Sequence, residues 1–326
     1  MTLSINQPMN FDEIWFDNVS INSHAINRSC ESLERQIKCL DTDQKQIEAL
    51  LKTIRVIDLT TLAGDDTYVN VQRLCYRGLN PLTEPLLKRL ESCGFCDENL
   101  TVGAICVYPS RIKDCHESFK MIKPSKDPLK IASVVTGFPS GQYGLDTRLS
   151  EIGYARNCGA DEVDTVIDRS LALNGDWKKV YEEVKQMRLK ASTMKLKVIL
   201  EVGELGSLAN VYKASWAAML AGADFIKTST GKVSVNATLP VGFVMTRAIY
   251  EFYSTTGVKV GFKPAGGLRT DQDCFKWLKL IENELGDEWL SPNLFRIGAS
   301  SLLNQVEKSL FKLVFGREPA SWELSL

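Results

Sequence analysis

The stretch DFIKTSTGK, residues 224–232, places a lysine inside a segment that otherwise reads as a β-strand. Phe225 and Ile226 lead into a run of hydroxyl residues, and Gly231 ends it. A fully buried, unpaired ammonium is too costly to keep, so Lys227 must pair with an acid, reach water or lose its proton. Taken alone, the stretch also fits an edge strand whose lysine reaches solvent.

A second stretch, VGFKPAGGLRT at 260–270, has the same layout, with Lys263 near the end of a strand that runs into a glycine-rich turn. Side chains alternate along a strand and neighbouring strands lie about 4.8 Å apart, so Lys227 and Lys263 can approach each other. A nearby like charge and partial burial both lower a lysine pKa. The resulting free amine is the nucleophile that forms a Schiff base with a carbonyl compound. The alternative is a pair of solvated lysines.

Outward from these two stretches, the chain alternates short apolar runs with longer amphipathic segments, which indicates an α/β fold. Eight such βα units in this length predict a (β/α)8 TIM barrel. A doubly wound open sheet is the alternative, but the chain continues from its first strand as TLAGDDT rather than with a G-x-G-x-x-G nucleotide loop. The predicted strands are 54–60, 101–109, 130–138, 162–168, 196–203, 224–230, 258–264 and 294–300.

The first part of the chain has a different character. Residues 1–50 are charged and helical in period, and we predict a helical extension that packs on the outside of a barrel domain formed by residues 51–326. Its inward-facing positions are predicted to be Ile26, Leu33, Ile37 and Leu40.

Composition excludes several classes of function. Lys and Arg total 39 against 40 Asp and Glu, so the chain has no net positive charge that would indicate nucleic-acid binding. No stretch reaches the roughly 18–20 apolar residues of a membrane span. The start lacks a signal-peptide pattern, and scattered cysteines then favour reduced thiols and a cytoplasmic location. Two histidines cannot form a three-His metal site, and the C-x-x-C pair Cys93 and Cys96 has no second pair, so we predict a helix end there and no metal.

Asp164, in GADEVDTVID, is the candidate for proton transfer. Strands four and six are both even-numbered, and alternate strands of a barrel contribute side chains to one interior layer, so Asp164 can lie level with Lys227. A carboxylate acting through a water can shuttle the protons that Schiff-base chemistry requires. The alternative is a counter-ion that only neutralises the lysines.

The loops after the last three strands suggest a phosphate site. Phosphate sites in barrels are commonly built from the loops after strands seven and eight and a helix N-terminus. Gly266 and Gly267 let backbone amides approach an anion, and Ser300 and Ser301 open a helix whose free N–H groups attract one. Lys232 could add positive charge, and so could Arg269. A phosphorylated substrate is therefore predicted.

Together these stretches resemble one family, the deoxyribose-phosphate aldolases, which are class I aldolases on a (β/α)8 barrel. The resemblance runs from VIDLTTLAGDDT through FIKTSTGK and GFKPAGGLRT to RIGASSLL, over nearly all of residues 54–305. It implies reversible cleavage of 2-deoxy-D-ribose 5-phosphate into acetaldehyde and D-glyceraldehyde 3-phosphate, in deoxyribonucleoside catabolism, without a metal or organic cofactor.

The resemblance also assigns residues. Lys227 matches the Schiff-base lysine, Lys263 its pKa-lowering partner and Asp164 its proton relay. The substrate-binding positions implied by the resemblance or by the loop pattern are Asp58, Thr60, Cys106, Thr230, Gly231, Lys232, Gly266, Gly267, Arg269, Ser300 and Ser301.

Some features depart from the family. The closing SWELSL lacks the tyrosine that assists proton transfer in many bacterial members, Val202 stands where threonine is frequent, and Asp168 has no assigned role. Alternatives stay open: a Schiff-base aldolase or transaldolase-like barrel for another sugar phosphate, or a catalytically silent barrel that serves as a scaffold. A homodimer is expected, although no interface pattern stands out.

Overall fold

The computed structural model describes residues 4–17, 19–38, 42–95, 99–122 and 129–325. Within these residues, eight parallel strands pair in the order β7-β6-β5-β4-β3-β2-β1-β8, with helices between them. The strands are β1 Ile57–Thr60, β2 Ala104–Val107, β3 Lys130–Val134, β4 Glu162–Val166, β5 Lys195–Ile199, β6 Phe225–Lys227, β7 Gly261–Lys263 and β8 Ile297–Ala299.

The described part of the chain forms twelve α-helices. They are α1 Ser23–Ile37, α2 Asp43–Val56, α3 Tyr68–Leu79, α4 Glu84–Ser92, α5 Ile112–Ile122, α6 Leu145–Asn157, α7 Arg169–Leu173, α8 Trp177–Ala191, α9 Leu208–Leu220, α10 Leu239–Thr256, α11 Asp271–Leu285 and α12 Leu302–Phe315. No helix in these ranges is long and apolar enough to cross a membrane.

Hydrogen bonds between the β7 and β8 regions close the sheet into a barrel. The Phe262 amide donates to the Leu294 carbonyl at 2.9 Å, and the Arg296 amide donates to Phe262 at 3.1 Å. The predicted (β/α)8 barrel with a helical extension is therefore confirmed, and the open sheet is excluded. Because β6 pairs with β5 on one side and with β7 on the other, Lys227 does not lie on an edge strand.

Seven predicted strand segments contain their observed strand completely, and β5 begins at Lys195, one residue before its predicted segment; all observed strands are shorter than predicted. Residues 54–56 belong to α2, which begins at its Thr42 cap and ends only at Val56, next to β1. At the other end, 228–230 lie beyond β6, in the loop at the mouth of the barrel. Those loop residues are buried, as strand residues are, so their residue types alone do not show that the strand ends at Lys227.

The barrel interior has an apolar part and an ionic part. The apolar part comes mainly from β2 to β5 and contains Ala104, Cys106, Ala132, Val134, Phe138, Val166 and Ile199. The ionic part consists of buried charged side chains and is described below. The main core lies outside the strands, between the barrel wall and the helices.

The N-terminal helices pack against the last helices of the barrel, α1 on α10 and α11, and α2 on α11 and α12. Ile26, Leu33 and Ile37 are buried as predicted. Leu40 and Cys96 lie outside the described residues. The division of the chain at residue 50 stays a prediction.

The segment before α1 is bound to the base of the barrel. Asn6 is buried, its amide donates to Asp224 Oδ1 at 2.9 Å, and its Nδ2 donates to the carbonyls of Met219 and Ala223 at 2.9 Å each. Trp15 stacks on Trp216 of α9 with ring centroids 4.4 Å apart. Asp224 directly precedes β6, so this segment is hydrogen-bonded to the residue before the strand that carries Lys227.

We expect Asn6→Ala to lower the free energy of unfolding by about 1–3 kcal/mol, because the carbonyls of Met219 and Ala223 each lose the hydrogen bond from the Asn6 side chain. Gln7→Ala is the matched control, since Gln7 is exposed and its side chain donates to the Ile5 carbonyl at 3.4 Å. Urea unfolding of both variants checks this, and equal losses would show that the Asn6 contacts do not stabilise the fold.

Candidate active site

Two lysines on neighbouring strands meet one carboxylate inside the barrel. Lys227 and Lys263 are direct register partners in β6 and β7. Their side chains are 5% and 1% exposed, and each ammonium nitrogen lies 2.7 Å from Asp164 Oδ2. Alternation along the strands points both lysines inward, and β4 supplies Asp164 at the same level.

Further charged side chains extend this pair into a buried ionic cluster. Lys197 of β5 contacts Glu162 at 2.5 Å and Asp164 Oδ1 at 3.0 Å. Arg296 contacts Asp58 at 2.5 Å and Glu162 at 2.9 Å. Lys263 also donates to Asp58. Every member of the cluster is buried.

Charge counting distinguishes Lys227 from the other cations. Among the described residues, the cluster holds three carboxylates, Asp58, Glu162 and Asp164, and three cations besides Lys227, namely Lys197, Lys263 and Arg296. These six charges balance one another. A proton on Lys227 would leave the buried cluster with a net positive charge, which is unfavourable in a medium of low dielectric constant.

The pKa shifts follow this balance. Burial lowers the pKa of Lys227, and the positive charge of Lys263 lowers it further, against the opposing effect of Asp164. Burial acts in the same direction on Lys263, but Asp164 and Asp58 outweigh it and raise its pKa. Burial alone would raise the pKa of Asp164, yet Lys197 and the two other lysines hold it well below its usual range. Lys227 is thus the lysine that can be a free amine while Asp164 stays ionised.

Sequence reasoning missed Lys197, Glu162 and Arg296. A signal for two of them was present, because Glu162 lies two residues before Asp164 and shares its face, and the register pairs Lys197 with Asp164. The signal for Arg296 is weaker, since it directly precedes β8.

A cavity of about 220 Å³ opens above Lys227 at the carboxyl ends of the strands. Ten of the sequence-predicted residues line it: Thr60, Lys227, Thr230, Gly231, Lys232, Gly266, Gly267, Arg269, Ser300 and Ser301. The other four, Asp58, Cys106, Asp164 and Lys263, are buried in the barrel interior and are not among the lining residues. Burial raises the pKa of the Cys106 thiol, which disfavours a thiolate there.

The cavity wall has the features of an anion site. Gly266 and Gly267 have φ angles of 86° and 82°, a conformation that favours glycine and turns successive amides toward one side. Ser301 precedes α12, and its side chain makes no capping hydrogen bond. The Ser301 hydroxyl therefore does not compete with an anion for the first backbone amides of α12. The ammonium of Lys232 donates to the Leu62 carbonyl at 3.0 Å, across the cavity mouth.

The departures from the family lie away from this cavity. Asp168 is the N-cap of α7 and accepts from the Ser170 amide, which gives it a structural role. Val202 is buried and does not line the cavity. Ser325 donates to Glu307 of α12, and Trp322 is exposed, so neither residue reaches Lys227.

Comparison with known proteins identifies the family. Residues 52–308 match the model of the DeoC/LacD family aldolases. The chain is 50% identical to deoxyribose-phosphate aldolase of Mus musculus, over 97% of this chain and 96% of that protein, and 49% identical to that of Homo sapiens, over 98% of each. A solved structure from Toxoplasma gondii superposes with a TM-score of 0.69 at 21% identity, covering 84% of this chain and 97% of the other. The tetrameric deoxyribose phosphate aldolase of Aeropyrum pernix gives 0.57 at 23% identity, over 85% and 95%. With a buried lysine pair at the mouth of a closed barrel and this degree of similarity, the chain belongs to the DeoC/LacD aldolase family.

Proposed function

We propose that this chain is a deoxyribose-phosphate aldolase, which cleaves 2-deoxy-D-ribose 5-phosphate reversibly into acetaldehyde and D-glyceraldehyde 3-phosphate. The observation that carries the proposal is the position of Lys227. Its amine lies 2.7 Å from Asp164, within a cluster whose other charges balance, and it lines a cavity whose walls suit an anion. An amine of lowered pKa at that position is suited to attack a carbonyl carbon.

Lys227 attacks the C1 aldehyde of the open-chain sugar phosphate and forms a carbinolamine. Asp164, acting through a water, moves the proton that lets hydroxide leave as water, which gives the protonated imine. The imine withdraws electrons from the C2–C3 bond. That bond breaks as the C3 hydroxyl loses its proton, and D-glyceraldehyde 3-phosphate departs. Protonation of the enamine at C2 and hydrolysis of the imine then release acetaldehyde and restore the amine.

Lys263 keeps its proton in this scheme and holds Asp164 ionised. Asp58 stabilises the Lys263 cation and is itself paired with Arg296. The imine formed on Lys227 serves as the electron sink, so these steps use no metal or organic cofactor.

In this proposal the phosphate group of the substrate binds at the rim of the cavity. The loops after β6, β7 and β8 provide glycine amides, the first amides of α12 and the ammonium of Lys232. Thr60 lies on the β1 side of the same cavity and is suited to a substrate hydroxyl. Cys106 takes no part in the chemistry in this scheme.

The setting follows from the same proposal. The partner is a small sugar phosphate rather than nucleic acid or a membrane, and the chain acts in the cytoplasm. A homodimer stays a prediction, which light scattering at several protein concentrations checks.

Acetaldehyde release tests the proposed function. With 2-deoxyribose 5-phosphate, coupling to alcohol dehydrogenase should show NADH oxidation in proportion to the amount of protein. A panel of other aldose and ketose phosphates, assayed for their own cleavage products, should react much more slowly. Turnover of another sugar phosphate instead would indicate a different Schiff-base aldolase, and a folded sample without turnover on the panel would favour the scaffold alternative.

A further inference from the structure

Glu201 is a buried acid near the mouth of the barrel that the proposed mechanism does not use. It follows β5, is fully buried, and has a φ angle of 55° and a ψ angle of 56°, the left-handed conformation that residues other than glycine rarely adopt. Such backbone conformations cost free energy and persist where the surrounding structure requires them.

The Glu201 carboxylate binds the loop after β6. The Thr230 hydroxyl donates to Glu201 Oε2 at 2.5 Å, and the Thr230 amide donates to both carboxylate oxygens at 3.2 Å. Thr230 Oγ1 in turn accepts from the Lys232 amide at 3.1 Å. The orientation of the segment 230–232, which lines the cavity, therefore depends on the position of one carboxylate.

Arg169 fixes that carboxylate from the other side. Its guanidinium lies 3.5 Å from Glu201 and donates to the Ser140 carbonyl at 2.8 Å. Lys232 contacts the Leu62 carbonyl at its far end. A continuous series of polar contacts, which we call the rim chain, thus runs from Ser140 through Arg169, Glu201, Thr230 and Lys232 to Leu62.

We propose that Glu201 is a positioning residue for the phosphate group of the substrate, acting through Thr230 to set the amide and ammonium of the 230–232 segment. This proposal rests on the proposed function. Glu201 does not touch the substrate. The Thr230 hydroxyl is occupied by Glu201 and by the Lys232 amide, so Thr230 serves the site through this orientation rather than as a free hydrogen-bond donor.

The test compares two substrates that differ only in the phosphate group. Glu201→Gln should lower kcat/KM for 2-deoxyribose 5-phosphate by about tenfold, mainly through KM, because a hydrogen-bonded buried charge is lost. For unphosphorylated 2-deoxyribose, kcat/KM should change less than about twofold, because this substrate has no phosphate group for the 230–232 segment to bind. Glu204→Gln is the matched control, since its carboxylate binds Arg169 at 3.1 Å but makes no contact with Thr230. Its ratio of the two kcat/KM values should equal that of the wild type.

A second readout does not require turnover. Inorganic phosphate should raise the Tm of the wild type and of Glu204→Gln, and raise that of Glu201→Gln clearly less. If Glu201→Gln does not fold, Thr230→Val takes its place, because it removes the bridging hydroxyl. In Thr230→Val, kcat/KM should likewise fall more for 2-deoxyribose 5-phosphate than for 2-deoxyribose. The role of Glu201 would be overturned if two results occurred together in folded variants. The ratio of kcat/KM for 2-deoxyribose 5-phosphate to kcat/KM for 2-deoxyribose would equal or exceed that of the wild type, and inorganic phosphate would raise Tm as much as it does for the wild type. A wild type without turnover of 2-deoxyribose 5-phosphate would instead refute the proposed function, and the Tm comparison would still decide whether Glu201 shapes an anion site.

Discussion

Replacing Lys227 by alanine will abolish turnover, with a fall in kcat of at least about 10⁴-fold, because the buried amine beside Asp164, which forms the electron-accepting imine, is lost. The barrel should stay folded. The remaining charges of the cluster, three carboxylates and three cations, balance one another without Lys227, so its removal leaves no unpaired buried ion.

The measurement is kcat for 2-deoxyribose 5-phosphate, together with Tm and the circular dichroism spectrum. Lys232→Ala is the control, since this exposed lysine lines the same cavity and should affect KM more than kcat. If Lys227→Ala retained more than a small percentage of wild-type kcat, Lys227 would not be the nucleophile.

Replacing Lys263 by leucine will raise the pKa of Lys227 and move the pH dependence of activity to higher pH. Both ammonium groups bind the same oxygen of Asp164, so they lie within the range where like charges interact strongly. Without Lys263, the cluster needs the proton on Lys227 to balance its carboxylates. The amine then stays protonated to higher pH, and we expect the acidic limb of the kcat/KM profile to rise by about one pH unit or more.

The profile is measured from pH 5 to pH 10. Lys259→Leu is the matched control, because Lys259 precedes the same strand but pairs with Glu288 at 2.6 Å, outside the cluster. Its profile should follow that of the wild type. A Lys263→Leu profile with an unchanged acidic limb, even at reduced activity, would mean that Lys263 does not control the protonation of Lys227.

Local patterns in the sequence were sufficient to predict the barrel and to select Lys227 and Lys263, because side-chain alternation within a strand and the succession of strand and helix segments are visible in short stretches. The ends of the strands were not predictable in this way. Residues 54–56 favour a strand by composition, yet the helix that begins at Thr42 continues through them. Helix continuation is decided by packing against α11 and α12, which lies outside the local pattern.

The partners of the lysines were harder to predict because they come from distant parts of the chain. Arg296 reaches Asp58 from the opposite end of the sequence, and Glu201 acquires its role only when the loop after β6 folds over it. Asn6 likewise reads as an ordinary polar residue until its contacts with Met219 and Ala223 are seen. In each case the sequence shows the residue type, but it does not show which residue that side chain contacts in the fold.

Borohydride trapping shows which lysine forms the Schiff base, because reduction converts the imine into a stable amine. The protein is mixed with 2-deoxyribose 5-phosphate, reduced with sodium borohydride, digested and mapped by mass spectrometry. We expect a stable adduct on the peptide that contains Lys227, and none on Lys263 or Lys197. An adduct on Lys263 with Lys227 unmodified would contradict the assignment of the two lysines, and a folded, active enzyme without any adduct would contradict the Schiff-base mechanism itself.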